Sequence, residues 1–167
     1  EVLLDTPGGR PQEEAFNAMA IYETLGDRKG IADVTNTCGV ISAASGEPRK
    51  GLDYFSRALK VYESIEDKNG AARALNNIGF SNSQMGKPEI GLVYFKKSLA
   101  IVLGLDSKKL LSTVYSSIGE AYAQMGEHRR ALEYFAGNLK INREMNDTEG
   151  TAYSLLQIGK SKRQQGQ

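Results

Sequence analysis

The chain has 167 residues, enough for one ordinary domain or a short repeat array. Its 40% hydrophobic and 25% charged residues are normal for a globular protein, and a net charge of +1 gives no long-range field to steer nucleic acid or an anionic membrane. No apolar run reaches the roughly 18 residues a membrane span needs, and a single cysteine excludes an internal disulfide framework and a cysteine-rich zinc site.

The chain opens on "EVLLDTPGGRPQ", which lacks a basic region, a long apolar stretch and an initiator Met. It is therefore not expected to be a signal peptide; the chain is expected to be cut from something longer and to work in a reducing, cytosolic setting. "TPGGRP" (6–11) follows no strand and lacks the Lys-Ser/Thr of a phosphate loop. It reads as a turn before a first helix over about 11–25, with Pro11 at its first position.

From there the chain repeats itself. Glycines recur at 39, 79, 119 and 159 and again at 46, 86, 126 and 166, each set spaced by 40. Phe55, Phe95 and Phe135 form a third ladder, and Tyr54, Tyr94 and Tyr134 a fourth; Leu59, Leu99 and Leu139 follow, then Val61, Ile101 and Ile141. Each period holds two helical patterns, A and B. In the second repeat, A runs over about 70–85, with Leu75, Ile78, Gly79 and Asn82 on one stripe; B runs over about 88–104, with Leu92, Phe95, Leu99 and Val102 on one face. "MGKP" between them places Gly86 after the first helix and Pro88 at the start of the second, "SGEP" (45–48) repeats the device, and "MGEH" (125–128) keeps only the Gly. Asp27, Asp67 and Asp147 precede A helices and are expected to cap them. The third repeat departs, with "LDSKK" (105–109) shifted by one.

The expected organisation is thus a single array over 1–167: a partial repeat's helix B at 11–25, repeats at 31–66, 70–105 and 108–146, and a lone helix A at 148–164. No strand is needed. A single pair cannot bury its apolar face, so stacked neighbours must supply the core.

A forty-residue period would also suit HEAT or armadillo repeats, but the residue pattern differs. Within each unit "I-G" (78–79, 118–119, 158–159) is followed seven residues later by Gly, five later by Gly51, Gly91 or Ala131, and four later by Phe. This resembles the tetratricopeptide repeat, most closely at "SSIGEAYAQMGEHRRALEYF" (116–135), which includes the family's Tyr at Tyr122; Ser42, Asn82 and Lys162 replace it elsewhere. The usual repeat has about 34 residues. The Gly119–Ala131 spacing is unchanged, so the extra residues lengthen the end of helix B or the start of the next A, by about 9 Å for six helical residues. "YETLGD" (22–27) and "YESIED" (62–67) look like that extension. The longer variant is similar to repeats in spindle-orientation adaptors, kinesin light chains and many bacterial signalling proteins. The resemblance implies an all-α, right-handed α-solenoid of tandem antiparallel helix pairs, with the A helices lining a concave groove.

"ALNNIGFSNSQMG" (74–86) sets two amides and a glycine in one helix, although Gly costs a helix interior about 1 kcal/mol relative to Ala. At ~100° per residue, Ile78, Gly79 and Asn82 fall with Leu75 on the core face, and the glycine permits close approach of helix B. Arg73, Asn76, Asn77, Phe80 and Gln84 fall on the opposite face. Adding or subtracting 40 gives Asp33, Asn36, Thr37, Val40 and Ala44 in the first repeat. The third contributes Thr113, Ser116, Ser117, Glu120 and Gln124, and the last Tyr153, Leu156, Gln157, Lys160 and Gln164. These amides and hydroxyls suit an extended peptide backbone, and Val40, Phe80, Tyr153 and Leu156 are apolar anchors on a face expected to need no packing partner. The resemblance adds that asparagines at Asn36, Asn76 and Asn77 grip a partner's main chain. A clamp for a terminal carboxylate is not expected, because Thr113 and Ser117 stand where basic residues belong.

The functional expectation is a protein–protein interaction module that is not an enzyme, holding a partner protein or peptide in its groove, without cofactor or metal and without nucleic-acid or membrane partners. The alternatives are a scaffold that self-associates through its uncapped C-terminal helix, where Leu155 and Ile158 lack a covering helix B, and a regulatory array of a larger signalling protein. His128, the only histidine, is expected at the surface beside Arg129 and Arg130, and Cys38 in the core at the place of Ile78. "GKSKRQQ" (159–165) is locally basic but has no aromatic platform for RNA. Basic residues on the B helices alternate with acidic ones, as on a solvated convex face.

Overall fold

The computed structural model describes residues 11–166, so the expected turn at "TPGGRP" lies, apart from Pro11, outside the described residues. Eight helices follow in order, with no strand among the described residues: α1 (Pro11–Leu25), α2 (Arg28–Ala44), α3 (Pro48–Ser64), α4 (Lys68–Gln84), α5 (Pro88–Val102), α6 (Lys108–Gln124), α7 (His128–Glu144) and α8 (Thr148–Gln164). Each packs on its sequence neighbours, and the A helices also meet one another, α2 with α4 and α4 with α6. The architecture is an α-solenoid.

Local chemistry sets the helix ends. The carboxylates of Asp27, Asp67 and Asp147 accept from the backbone N–H of Gly30, Gly70 and Gly150 at 2.9, 2.9 and 2.8 Å. Each satisfies a donor that the first helical turn leaves without a partner. Because Asp27 and Asp67 are the caps, α2 and α4 begin at Arg28 and Lys68, ahead of the expected starts at 31 and 70. In the third repeat Ser107 caps instead, accepting from Leu110 N–H at 3.4 Å. Proline opens α1, α3 and α5. Gly86 closes α4 with φ +73°, while the N–H of Lys87 bonds back to the Asn82 carbonyl at 3.0 Å. Glu66 holds a left-handed φ of +57° where the first turn has Gly26.

The core is a set of seams between A and B helices. A Cβ added at Gly39, Gly79 or Gly119 would fall 2.5, 2.6 or 2.6 Å from the ring of Phe55, Phe95 or Phe135. The missing side chain is therefore the space the phenylalanine occupies. Between repeats, Tyr22 and Tyr62 lie likewise over Gly30 and Gly70. One period on, the pair becomes Val102 and Leu110, which share a core cluster: the smaller partner is met by a larger one. A further period on it becomes Asn142 over Gly150. Cys38 is buried and free, as its place in the Ile78 ladder requires, and burial pushes its thiol pKa up.

Candidate functional site

The A helices line a cleft of about 660 Å³. Val40, Asn76, Asn77, Phe80, Gln84, Thr113, Ser116, Ser117, Glu120 and Tyr153 all lie on it. A smaller recess of about 310 Å³ adjoins it, shares Asn76, Asn77 and Thr113, and adds Asn36 and Arg73. Asp33, Thr37, Leu156, Gln157 and Lys160 line neither. Leu156 and Lys160 are exposed on α8, Gln157 is half-buried there, and Thr37 turns its hydroxyl onto the carbonyl of Asp33 at 2.9 Å.

Several of these groups are spent between repeats rather than presented to a ligand. Asn36 and Asn76, expected to point away from all packing, are each only 6% exposed. A wheel drawn for one helix misses the neighbouring A helices, which close over these amides. The amide of Asn77 donates to Asn36 Oδ1 at 3.1 Å, tying α4 to α2. Asn76 Oδ1 is buried and accepts no hydrogen bond among the described residues, and Asn76 lines both recesses. An amide oxygen kept from water and left without a donor carries a penalty of about 1–3 kcal/mol.

Asp33 belongs to a second inter-repeat tie. Arg73 donates to its carboxylate at 2.6 Å and the Tyr62 hydroxyl at 2.6 Å. Lys29 bridges it at 3.5 Å while bonding Asp67 at 2.5 Å. Burial pushes the Asp33 carboxyl up, but the Tyr62 and Arg73 hydrogen bonds outweigh it and hold the pKa below the usual value. Burial and the adjoining Asp33 push the Tyr62 phenol well above its ordinary range. At the other end of the cleft, Glu120 accepts from Tyr153 at 2.7 Å and from Ser116 at 2.9 Å. Thr113 and Ser117 bond carbonyls of their own helix at 3.1 Å each. Burial, then Glu120, raises the Tyr153 phenol in the same way.

Sequence reasoning overlooked the cleft floor. Ser112, Asn138, Asn142 and Gly150 line it, and the three polar side chains form a buried network with Ser154. Ser112 donates to Asn142 Oδ1 at 2.5 Å, and Asn138 donates to the carbonyl of Ser112 at 2.6 Å. Asn142 donates to Asn138 Oδ1 and to Ser154 Oγ, both at 3.1 Å. The signal was present in the period of 40: Ala58, Ser98, Asn138 and Tyr62, Val102, Asn142 are ladders that both reach asparagine in the last full repeat. His128 opens α7 and is half-buried rather than a free surface side chain. No group of three or more His, Cys, Asp or Glu side chains among the described residues is placed to hold a metal ion, and none of their helices is long and apolar enough to cross a membrane.

Stacked helical pairs, a glycine–phenylalanine seam and a polar cleft walled by alternate helices define a helical-repeat module. The family model of the tetratricopeptide repeat matches residues 70–136. Solved structures of the same fold include BtubC (BKLC) from P. vanneervenii, 17% identical over 93% of this chain and 68% of that one, with a TM-score of 0.77. Aspartyl phosphate phosphatase F from Bacillus subtilis is 16% identical over 94% of this chain and 44% of its own, at 0.80. The TPR domain of Arabidopsis FLU is 22% identical over 72% and 99%, at 0.64. At these identities the likeness is one of fold, and no curated protein matches the chain. Residues 70–136 thus carry the tetratricopeptide repeat, and the array as a whole has the fold of these structures.

Proposed function

We propose that the concave face of α2, α4, α6 and α8 holds a segment of a partner protein. The observation that carries this reading is Asn76, which lines both recesses, is nearly buried, and has no donor to its carbonyl oxygen among the described residues. Val40 and Phe80 stand half-exposed on the same wall and supply apolar contact beside it. A rigid cleft with a few convergent polar groups is the usual form of a recognition site. The role is non-enzymatic: a nucleophile–base pair would have to use His128, at the start of α7, while the single thiol lies buried in α2. A cytosolic setting fits a lone free cysteine.

The test uses the partner retained by the wild-type array, titrated calorimetrically against Asn76→Ala/Asn77→Ala. Affinity is expected to fall about tenfold or more. Unchanged affinity, with the variant folded, removes the groove from the account.

A second reading has its own observation. Gly159 has nothing within 4 Å of a built Cβ, whereas Gly39, Gly79 and Gly119 are each filled by a phenylalanine. Leu155 and Leu156 stand exposed beside it. This end of α8 is a seat for a helix, so association through it would appear in light scattering as a concentration-dependent mass that Gly159→Phe abolishes.

A further inference from the structure

The convex face carries a second surface, and the repeat supplies its own control. On α3 the outward positions are Lys50, Asp53, Lys60 and Glu63; on α7 they are Arg130, Glu133, Lys140 and Arg143. The corresponding residues of α5, forty away in each direction, are Ile90, Val93, Ala100 and Leu103. Four charges have become four apolar groups in the middle repeat alone. They are not drawn inward by the change: Ile90, Val93 and Leu103 are 45, 52 and 65% exposed. Apolar side chains at i, i+3, i+10 and i+13 share a broad helix face. Two exposed apolar pairs on one helix, flanking two lysines, form an amphipathic surface of the kind that marks an interaction site.

The stripe leads into a cavity. α5 ends at Val102, whereas the repeat of α3 and α7 would carry it to Gly104, and a cleft of about 680 Å³ opens there. Ala100, Ile101 and Gly104 form one wall of it and Tyr62 and Ala71 the other. Its edge carries Glu63 and Glu66 beside Lys68, and Asp67, which is paired with Lys29. Midway along α5, Lys96 and Lys97 are exposed between the two apolar pairs.

We infer that the convex face of α5 binds an amphipathic helix of a partner protein that carries acidic residues at its midpoint and a basic residue at the end seated in the cleft. Charge complementarity selects this occupant. A second copy of α5 running antiparallel would bring Lys96 and Lys97 against their own counterparts, and like charges in contact disfavour that pairing. A partner with acids opposite Lys96 and Lys97 and a base opposite Glu63 and Glu66 meets favourable charge at both places while covering the apolar stripe.

The probe is a synthetic amphipathic helix with a leucine stripe, a Glu-Glu pair at its midpoint and a terminal Lys, compared with a version carrying Lys-Lys at the midpoint; binding is read by fluorescence anisotropy. The Glu-Glu helix is expected to bind the wild-type chain about tenfold or more tightly than the Lys-Lys helix. Ile90→Lys/Val93→Asp/Ala100→Lys/Leu103→Glu installs the residues of α3 and is expected to keep the thermal midpoint while losing the binding. Lys96→Glu/Lys97→Glu is expected to reverse the preference. Equal binding of both helices, or retained binding by the four-fold variant, overturns the inference. So does loss of peptide binding in Asn76→Ala/Asn77→Ala, which would place the peptide in the groove. A wild-type dimer in light scattering that the four-fold variant abolishes would make a second copy the occupant and overturn it too.

Discussion

Glycine 79 offers the sharpest quantitative test of the packing, because Gly159 is the same position without its partner. A Cβ at Gly79 would lie 2.6 and 2.7 Å from Cε1 and Cδ1 of Phe95 and 2.9 Å from the Gly91 carbonyl oxygen. Phe95 is 2% exposed, so its ring has no free volume to enter, and Gly91 O is backbone. Overfilling a closed core costs about 1–3 kcal/mol. Replacing Gly by Ala in a helix returns about 1 kcal/mol of propensity. With both a ring and a carbonyl in the way the loss exceeds the gain, and Gly79→Ala is expected to destabilise by up to about 2 kcal/mol, a fall of up to about 8 °C in the melting midpoint for a chain of this size. At Gly159 nothing stands within 4 Å, so only the propensity gain remains and Gly159→Ala is expected to raise the midpoint slightly. Thermal unfolding followed by circular dichroism reads both. If Gly79→Ala melts at or above the wild-type temperature, or the two substitutions move the midpoint in the same direction, the account of the seam is wrong.

Asn142→Ala is expected to cost about 1–3 kcal/mol in denaturant unfolding, because it strips partners from Ser112, Asn138 and Ser154 where water does not replace them; a loss no larger than at an exposed site refutes the network's role. Asp33 and Asp67 are both held below the ordinary carboxyl value of 3.8 in the folded chain. Depressed carboxyls stabilise the fold above that value and lose the contribution as pH falls through their folded pKa, so stability is expected to decline below about pH 4. Asp33→Asn is expected to flatten that acid limb, and an unchanged slope in pH-dependent urea unfolding argues against the tie to Arg73 and Tyr62. Phe80, 42% exposed on the cleft wall, is expected to weaken partner binding about tenfold as Phe80→Ala with little change in the melting midpoint; a large fall in stability would mean that its role is structural.

The concave face shows where reading one helix at a time stops. Phe80 and Val40 line the cleft, and their wheel positions point away from helix B. Asn36 and Asn76 sit one turn earlier on nearly the same side of their helices, yet are only 6% exposed in the array. Asn138 and Asn142 were overlooked for the opposite reason: they lie on a core seam that carries no amide in the earlier repeats, and only a comparison along the ladder reveals the switch.

What the sequence by itself determined is the periodic part of this protein. The Asp caps, the glycine and proline that punctuate each turn, and the glycine–phenylalanine seam act over a few residues or between adjacent helices, so a period of 40 exposes them directly. The tertiary structure alone decided which polar side chains remain available. Asp33 could be a ligand group or the anchor of Arg73 and Tyr62; Asn76 could be solvated or buried with a free carbonyl oxygen. Those outcomes depend on how closely α2, α4 and α6 approach one another. That spacing is set jointly by the volumes in all the seams between them, and no single stretch of the chain contains it.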